Sequence, residues 1–270
     1  MIDFKSIISR TDRYNFHSHT QFCDGRFPMS DFAEAAVKAG FRHYGFSPHS
    51  PVPIDSPCNM ARDVVPEYFA EVERLRAIYG QKINFYCSME IDYLGPDWGP
   101  SHPYFRDLPL DYRIGSVHFI PDKTGRMIDV DGSPDGFRRK MEESFGGDIR
   151  YVVDKFYDRS IEMVRAGGFD IIGHFDKIGY NASVYSPGIE KEAWYDRRVS
   201  ELVDVILDSG VVVEINTKSR ETNGRFFPAE RYWRRLLDND VTIVVNSDAH
   251  YPALIDASRG EALSMLQALS

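Results

Sequence analysis

Apolar positions recur along this chain in two alternating rhythms. Short β-branched and aromatic runs of strand length are separated by longer stretches in which apolar residues return every three or four positions, the spacing of one helix face. The runs Tyr14 to Phe16, His43 to Phe46, Ile83 to Met89, Tyr112 to Val117, Phe169 to Gly173, Val211 to Ile215 and Val241 to Val245 predict seven strands. Helices are predicted from Ser30 to Lys38 before Gly40, from Pro66 to Tyr79 before Gly80, and from Glu192 to Asp208 before Gly210. Another spans Ile149 to Arg165, with Val153, Phe156, Tyr157, Ile161 and Val164 on one stripe, and two more open at Pro228 and Pro252. Strands alternating with helices imply a parallel α/β sheet. Proline-rich loops at 50–62 and 92–111 interrupt the rhythm, as does a polar excursion at 121–147 that is too small to fold alone and reads as cover over one end of the sheet.

Composition narrows the class. A chain of 270 residues with 43% hydrophobic and 27% charged content can bury a substantial core, and no repeat or linker divides it, so one domain over 1–270 is expected. The net charge of -9 argues against nucleic acid as a partner. Three cysteines without Cys-x-x-Cys spacing indicate neither a disulfide framework nor a thiolate metal site. Residues Met1 to Arg13 carry charges and no signal-like apolar stretch, and no run reaches the ~18 residues of a membrane span, which leads to the expectation of a soluble cytoplasmic protein.

The chemistry sits where strands give way to loops. Six of the eight histidines fall there, together with Asp24, Glu90 and Asp248. Pleating after Phe16 would turn His17 and His19 to the same side, away from Ser18. The candidate ligands are then His17, His19, Asp24, His49, Glu90, His118, His174, Asp248 and His250. Imidazole and carboxylate donors without thiolate suit zinc, iron or manganese, and nine donors exceed one coordination shell, so two or three divalent ions are implied. Each residue alone has an ordinary structural role open to it: Asp24 a turn at Gly25, Glu90 an ion pair, His118 a buried hydrogen-bonded ring. Their joint placement at strand ends is harder to explain that way. It also favours a closed βα barrel, whose strands all deliver residues to one mouth, over an open sheet with one switch point.

These motifs resemble the polymerase and histidinol phosphatase (PHP) superfamily of metal-dependent phosphoesterases. The likeness rests on His17-x-His19 with Asp24, the His49 loop, Glu90, His118 in Gly-Ser-Val-His-Phe, His174 in Gly-His-Phe-Asp, and Asp248-Ala249-His250. Within it, Gly115 to Ile120, Asp131-Gly132-Ser133, Gly147-Asp148 and Gly173 to Asp176 look most like the histidinol-phosphatase branch. The resemblance implies a distorted seven-stranded, TIM-like (β/α)7 barrel with metals at the C-terminal ends of its strands. Carried over by motif, one ion takes His17, His19, Glu90 and Asp248, a second shares Glu90 with His118 and His174, and a third takes Asp24, His49 and His250. It further implies a phosphomonoester substrate, L-histidinol phosphate, hydrolysed to L-histidinol and phosphate in histidine biosynthesis; the alternative is another phosphomonoester, a nucleotide or a phosphodiester.

Arg220, just past the sixth strand, is the first candidate to clamp the phosphate, because a planar fork matches two phosphate oxygens, and Lys177 is the second. Asp248 and His250 are candidates for moving protons, and Asp55 or Asp131 for meeting the substrate's ammonium group. An amidohydrolase-type barrel also opens with His-x-His, but it usually bridges its metals with a lysine, and here the third strand ends in Glu90. A binding module without activity is disfavoured by the complete ligand set. Oligomeric state has no signal in the sequence.

Overall fold

Seven strands alternate with helices and run parallel, in the order β1-β2-β3-β4-β7-β8-β9. They are β1 (Tyr14–Asn15), β2 (His43–Phe46), β3 (Asn84–Asp92), β4 (Tyr112–Ser116), β7 (Ile171–Ile172), β8 (Val212–Asn216) and β9 (Ile243–Asn246). A separate antiparallel hairpin joins β5 (Phe119–Pro121) to β6 (Met127–Asp129). The structure, a computed structural model, describes residues 2–269. Among these residues no helix is long and apolar enough to cross a membrane.

The barrel closes where β9 meets β1, and it does so largely through side chains. One parallel bridge, Ser18 to Ala249, sits above the seam, with the His19 amide donating to the Ala249 carbonyl at 2.9 Å. Below it, Asn246 Oδ1 accepts from the Phe16 amide at 2.8 Å and Asn15 Oδ1 from the Ser247 amide at 3.1 Å. These amide side chains satisfy backbone donors that a regular ladder would otherwise have paired.

Period-two alternation sorts each strand. Along β3, Phe85, Cys87, Met89 and Ile91 pack outward beneath the helices Met29–Lys38 and Val65–Tyr79, whereas Tyr86 joins the barrel interior and Glu90 follows on that side. Along β8, Val213 and Ile215 face the helices while Val212 faces inward, which also aims Glu214 and Asn216 inward. The lower barrel is filled by Tyr14, Phe16, Tyr112, Ile114, Ile171 and Val244, and a short helix, Phe4–Ile8, plugs its floor with Phe4. Tyr112 crosses the interior to donate its hydroxyl to the Phe16 carbonyl, a path open only because Gly45 has no Cβ to overlap that hydroxyl. The apolar layer thus ends below the strand tips, and polar side chains begin above it.

Several boundaries differ from the sequence reading for identifiable reasons. Ser30 lies inside its helix; the Met29 amide donates instead to Gln21 Oε1 at 2.7 Å, a cap from a distant residue. Pro228 and Pro252 do not open α-helices: the helices begin later, at Trp233 and Arg259, after 3-10 turns. The excursion at 121–147 is structured, containing the rest of the hairpin and a helix, Pro134–Phe145, capped by Ser133 and buried through Phe137, Met141 and Phe145. A helix Ile178–Tyr185, invisible as an amphipathic pattern, follows the β7 loop.

Candidate metal centre

Glu90, inward on β3 and 1% exposed, is the hub of the barrel mouth. Its Oε1 lies 2.8 Å from His174 Nε2 and 3.5 Å from His118 Nε2; its Oε2 lies 3.1 Å from His49 Nδ1, 3.3 Å from His17 Nε2 and 3.5 Å from His19 Nε2. The His17 and His19 Nε2 atoms converge to 3.2 Å although β1 ends at Asn15, so the loop, not strict pleating, brings them together. Asp248 Oδ1 stands 3.0 Å from His19 Nε2, and Asp24 Oδ1 3.2 Å from His250 Nε2. All nine candidates therefore gather at one end of the barrel. Their donor atoms form sets within 4.8 Å of one another: His17, His19 and Asp248; Glu90, His118 and His174; His19, Asp24, His49 and His250.

Such a crowd suits cations. Burial works against charge on Glu90, yet the surrounding histidines hold its carboxyl well below the usual range, and Asp248 is held down likewise by Lys218, His17 and His19. Burial would also discharge His118, but Asp92 and Glu90 outweigh it and push that ring up to about 9. Meanwhile burial, with His250 and His49 alongside, drives His19 well below the ordinary histidine value. Asp24 Oδ1, His49 Nδ1 and His118 Nε2 are buried beside His250 and Glu90 yet make no well-directed hydrogen bond. Three such donor atoms in one polar pocket fit the role of metal ligands.

The surroundings orient the candidate ligands. His118 Nδ1 donates to Asp92 Oδ1 at 2.7 Å, and Asn59 holds the other Asp92 oxygen at 3.0 Å, so Asp92 directs a ring although it could itself reach a metal with His49 and His118. Glu214, fully buried, binds His17 Nδ1 at 2.7 Å and is fixed by the Asn216 and Asn246 amides at 3.0 Å each and by the His174 amide at 3.1 Å. This fixes the His17 proton on Nδ1 and leaves Nε2 free to ligate. Asp248 adopts φ 48°, an uncommon left-handed conformation that turns its carboxylate into the cluster. At Gly25 an added Cβ would strike the His19–Thr20 backbone, so the tight turn carrying Asp24 packs directly on the His19 segment. Sequence reading missed Asp92, Glu214 and Lys218; the signal for the first two was an acidic residue on the inward parity of a strand that already carried a ligand or an asparagine. Glu214→Gln is expected to weaken metal affinity roughly 10- to 100-fold while leaving the fold intact, as loss of an outer carboxylate does; competition against a fluorescent chelator measures it, and unchanged affinity would show that His17 needs no orienting partner.

Above the cluster lies a cavity of about 490 Å³ lined by Asp24, His49, Asp131, Lys177, Lys218 and His250, among others, with the 55–59 loop and the hairpin on its rim. Lys177 enters it, its Nζ 2.8 Å from Asp131 Oδ2. Arg220 does not. It begins a short helix, Arg220–Asn223, and its guanidinium lies over the Phe226 ring with Nε 3.1 Å from Glu261, so the expected phosphate fork is committed to an ion pair outside the cavity.

Comparison with known proteins places the chain. The family model described as PHP domain matches residues 15–218. A histidinol-phosphatase of Bacillus subtilis is 26% identical over 261 residues, covering 87% of this chain and 92% of that protein. A Deinococcus radiodurans protein assigned the same activity is 26% identical over 263 residues, 93% of this chain and 91% of its own. Among solved structures, a Listeria monocytogenes protein assigned as a histidinol phosphatase superposes with TM-score 0.79 at 16% identity, over 92% of this chain and 99% of that one. A Lactococcus lactis histidinol phosphate phosphatase, solved with zinc, L-histidinol and phosphate, gives TM-score 0.66 at 18% identity, over 95% of this chain and 93% of that one. At these identities the two structures speak for the barrel fold.

Proposed function

The chain belongs to the PHP domain family, and we propose on that premise that it is a metal-dependent histidinol-phosphatase, hydrolysing L-histidinol phosphate to L-histidinol and inorganic phosphate. The observation that carries this reading is the gathering of nine imidazole and carboxylate side chains, three with buried donor atoms that make no well-directed hydrogen bond, beneath a cavity of small-molecule size. Relatives of the same activity that align over most of the chain support the substrate.

Divalent ions, zinc, iron or manganese, would be held by His17, His19, Glu90 and Asp248, by Glu90, His118 and His174, and by Asp24, His49 and His250. When bound, they supply Lewis-acid stabilisation of the phosphoryl oxygens and acidify water, so no strong protein base is needed. The chain's own residues do the rest. Six neutral imidazoles and three carboxylates under-neutralise three dications by about +3, which draws a phosphate dianion to the mouth. Glu214 and Asp92 keep His17 and His118 in the ligating tautomer. Lys177, largely buried, adds positive charge beside the cluster, with Asp131 steadying it. That pairing leaves Asp55, on the cavity rim, as the better candidate to meet the substrate's ammonium group.

Two measurements test the reading. Elemental analysis of protein purified without chelator should find more than one ion per chain, and prolonged chelation should abolish hydrolysis until zinc, iron or manganese is restored; one ion or fewer after supplementation would sink the cluster. In a panel of phosphomonoesters, histidinol phosphate should show the highest kcat/KM, and a better substrate elsewhere would overturn the substrate while sparing the phosphatase.

A further inference from the structure

We infer that Lys218, a residue outside the expected site, is the side chain that grips the substrate's phosphate; this rests on the phosphatase reading above. Four cations line the cavity: Arg126, Lys140, Lys177 and Lys218. Three have carboxylate partners outside the proposed ligand set. Lys140 Nζ is 2.7 Å from Asp129, Lys177 Nζ 2.8 Å from Asp131, and Arg126 Nε 3.5 Å from Asp122. Lys218 differs: its ammonium has two acceptors, His250 Nε2 at 3.2 Å and Asp248 Oδ1 at 3.5 Å, and both belong to the ligand set.

The His250 tautomer sharpens the point. Its Nδ1 faces the Asp248 carbonyl at 3.0 Å, an atom that can only accept, so with a metal bound Nδ1 would carry the proton and Nε2, which sits 3.2 Å from both Asp24 Oδ1 and the Lys218 ammonium, would present the lone pair. That same lone pair is the one a metal would take. Once His250 is a ligand, the Lys218 ammonium has lost its nearer acceptor, keeps only an Asp248 oxygen at 3.5 Å that it would share with a metal, and stands beside a cationic cluster. An anion between such a cation and the metals is favoured by both, and a phosphate dianion would supply it.

Position supports this role. Lys218 lies two residues beyond Asn216 at the tip of β8, and its own amide donates to Asn216 Oδ1 at 3.1 Å, which pins its backbone over the mouth. Its side chain is 38% exposed, free enough to swing from His250 onto an incoming oxygen. A compact ammonium on a flexible stem, with three rotatable donors, can follow a phosphate from binding to release in a way that the Glu261-bound Arg220 cannot.

Calorimetric titration of the metal-loaded protein with inorganic phosphate tests the assignment, alongside elemental analysis of each variant. Lys218→Met is expected to weaken phosphate binding roughly 10- to 100-fold, the worth of a hydrogen bond to a charged group, with metal content unchanged. Lys218→Arg should keep most of the affinity, and Arg220→Ala should match the unaltered protein. Equal phosphate affinity in Lys218→Met, or a loss of metal that accounts for the weakening, overturns the assignment to Lys218 alone. Failure of the unaltered, metal-loaded protein to bind phosphate would instead bring down the phosphatase reading, and this inference with it.

Discussion

Glu90→Gln is expected to cost at least a thousandfold in kcat and at least one metal ion per chain, more than the loss of any single histidine. Its two oxygens lie within 3.5 Å of ring nitrogens from five histidines, so the carboxylate is shared where each imidazole serves once. Glutamine preserves the shape but removes the charge that would balance two bound cations, and replaces one acceptor oxygen by a donor pointing at lone pairs. Losing the Lewis-acid contribution is worth several kcal/mol, and each 1.36 kcal/mol is a factor of ten in rate. Steady-state kinetics with elemental analysis on one preparation decides the matter. Full activity with full metal would reduce Glu90 to a structural carboxylate hydrogen-bonded to Ser116 and His174, contacts it also makes.

What the sequence disclosed, and what it withheld, follows from the range of the forces involved. The seven strands and the gathering of the candidate ligands at their ends were legible because side-chain parity and breaker residues are local, and a parallel barrel turns that local order into one mouth. Glu214 gave only a faint signal, its inward parity with Asn216: as one acidic residue in an apolar strand it resembles a solvated edge position, and its role becomes plain only when His17, from the far end of the chain, reaches it at 2.7 Å. Arg220 was misread for a similar reason. It lies just beyond β8, where a phosphate fork could stand, but Glu261, on the last helix, holds its guanidinium outside the cavity. The floor helix Phe4–Ile8 and the helix Ile178–Tyr185 are short or evenly apolar, so neither offers a face for periodicity to reveal.

The seam between β9 and β1 carries the second large expectation, because the loops leaving those two strands hold His17, His19, Asp24, Asp248 and His250. Arg259, 1% exposed, ties the seam from behind: its Nε donates to the Val245 carbonyl at 2.9 Å, Nη1 to Asp256 at 2.6 Å and Nη2 to the Asp12 carbonyl at 3.1 Å, and its guanidinium lies over the Tyr14 and Phe41 rings. Thus one side chain, at the start of the final helix, grips β9, the segment leading into β1 and the turn at Asp256 at once. Arg259→Ala should strand two backbone carbonyls and leave a cavity against two aromatic rings, a loss of about 3 to 5 kcal/mol of the kind seen when one partner of a buried charged network is removed. For a chain of this size that is a fall in Tm of roughly 10 °C. Arg259→Lys should recover only part of it, since a single ammonium cannot reach three acceptors in the directions a planar fork does. If the seam positions the ligands, metal affinity will fall along with stability in Arg259→Ala even though Arg259 contacts none of them. Thermal unfolding in the presence and absence of added zinc separates the possibilities: stabilisation by zinc that is undiminished in the variant would mean that the two ends of the barrel hold the site without this arginine.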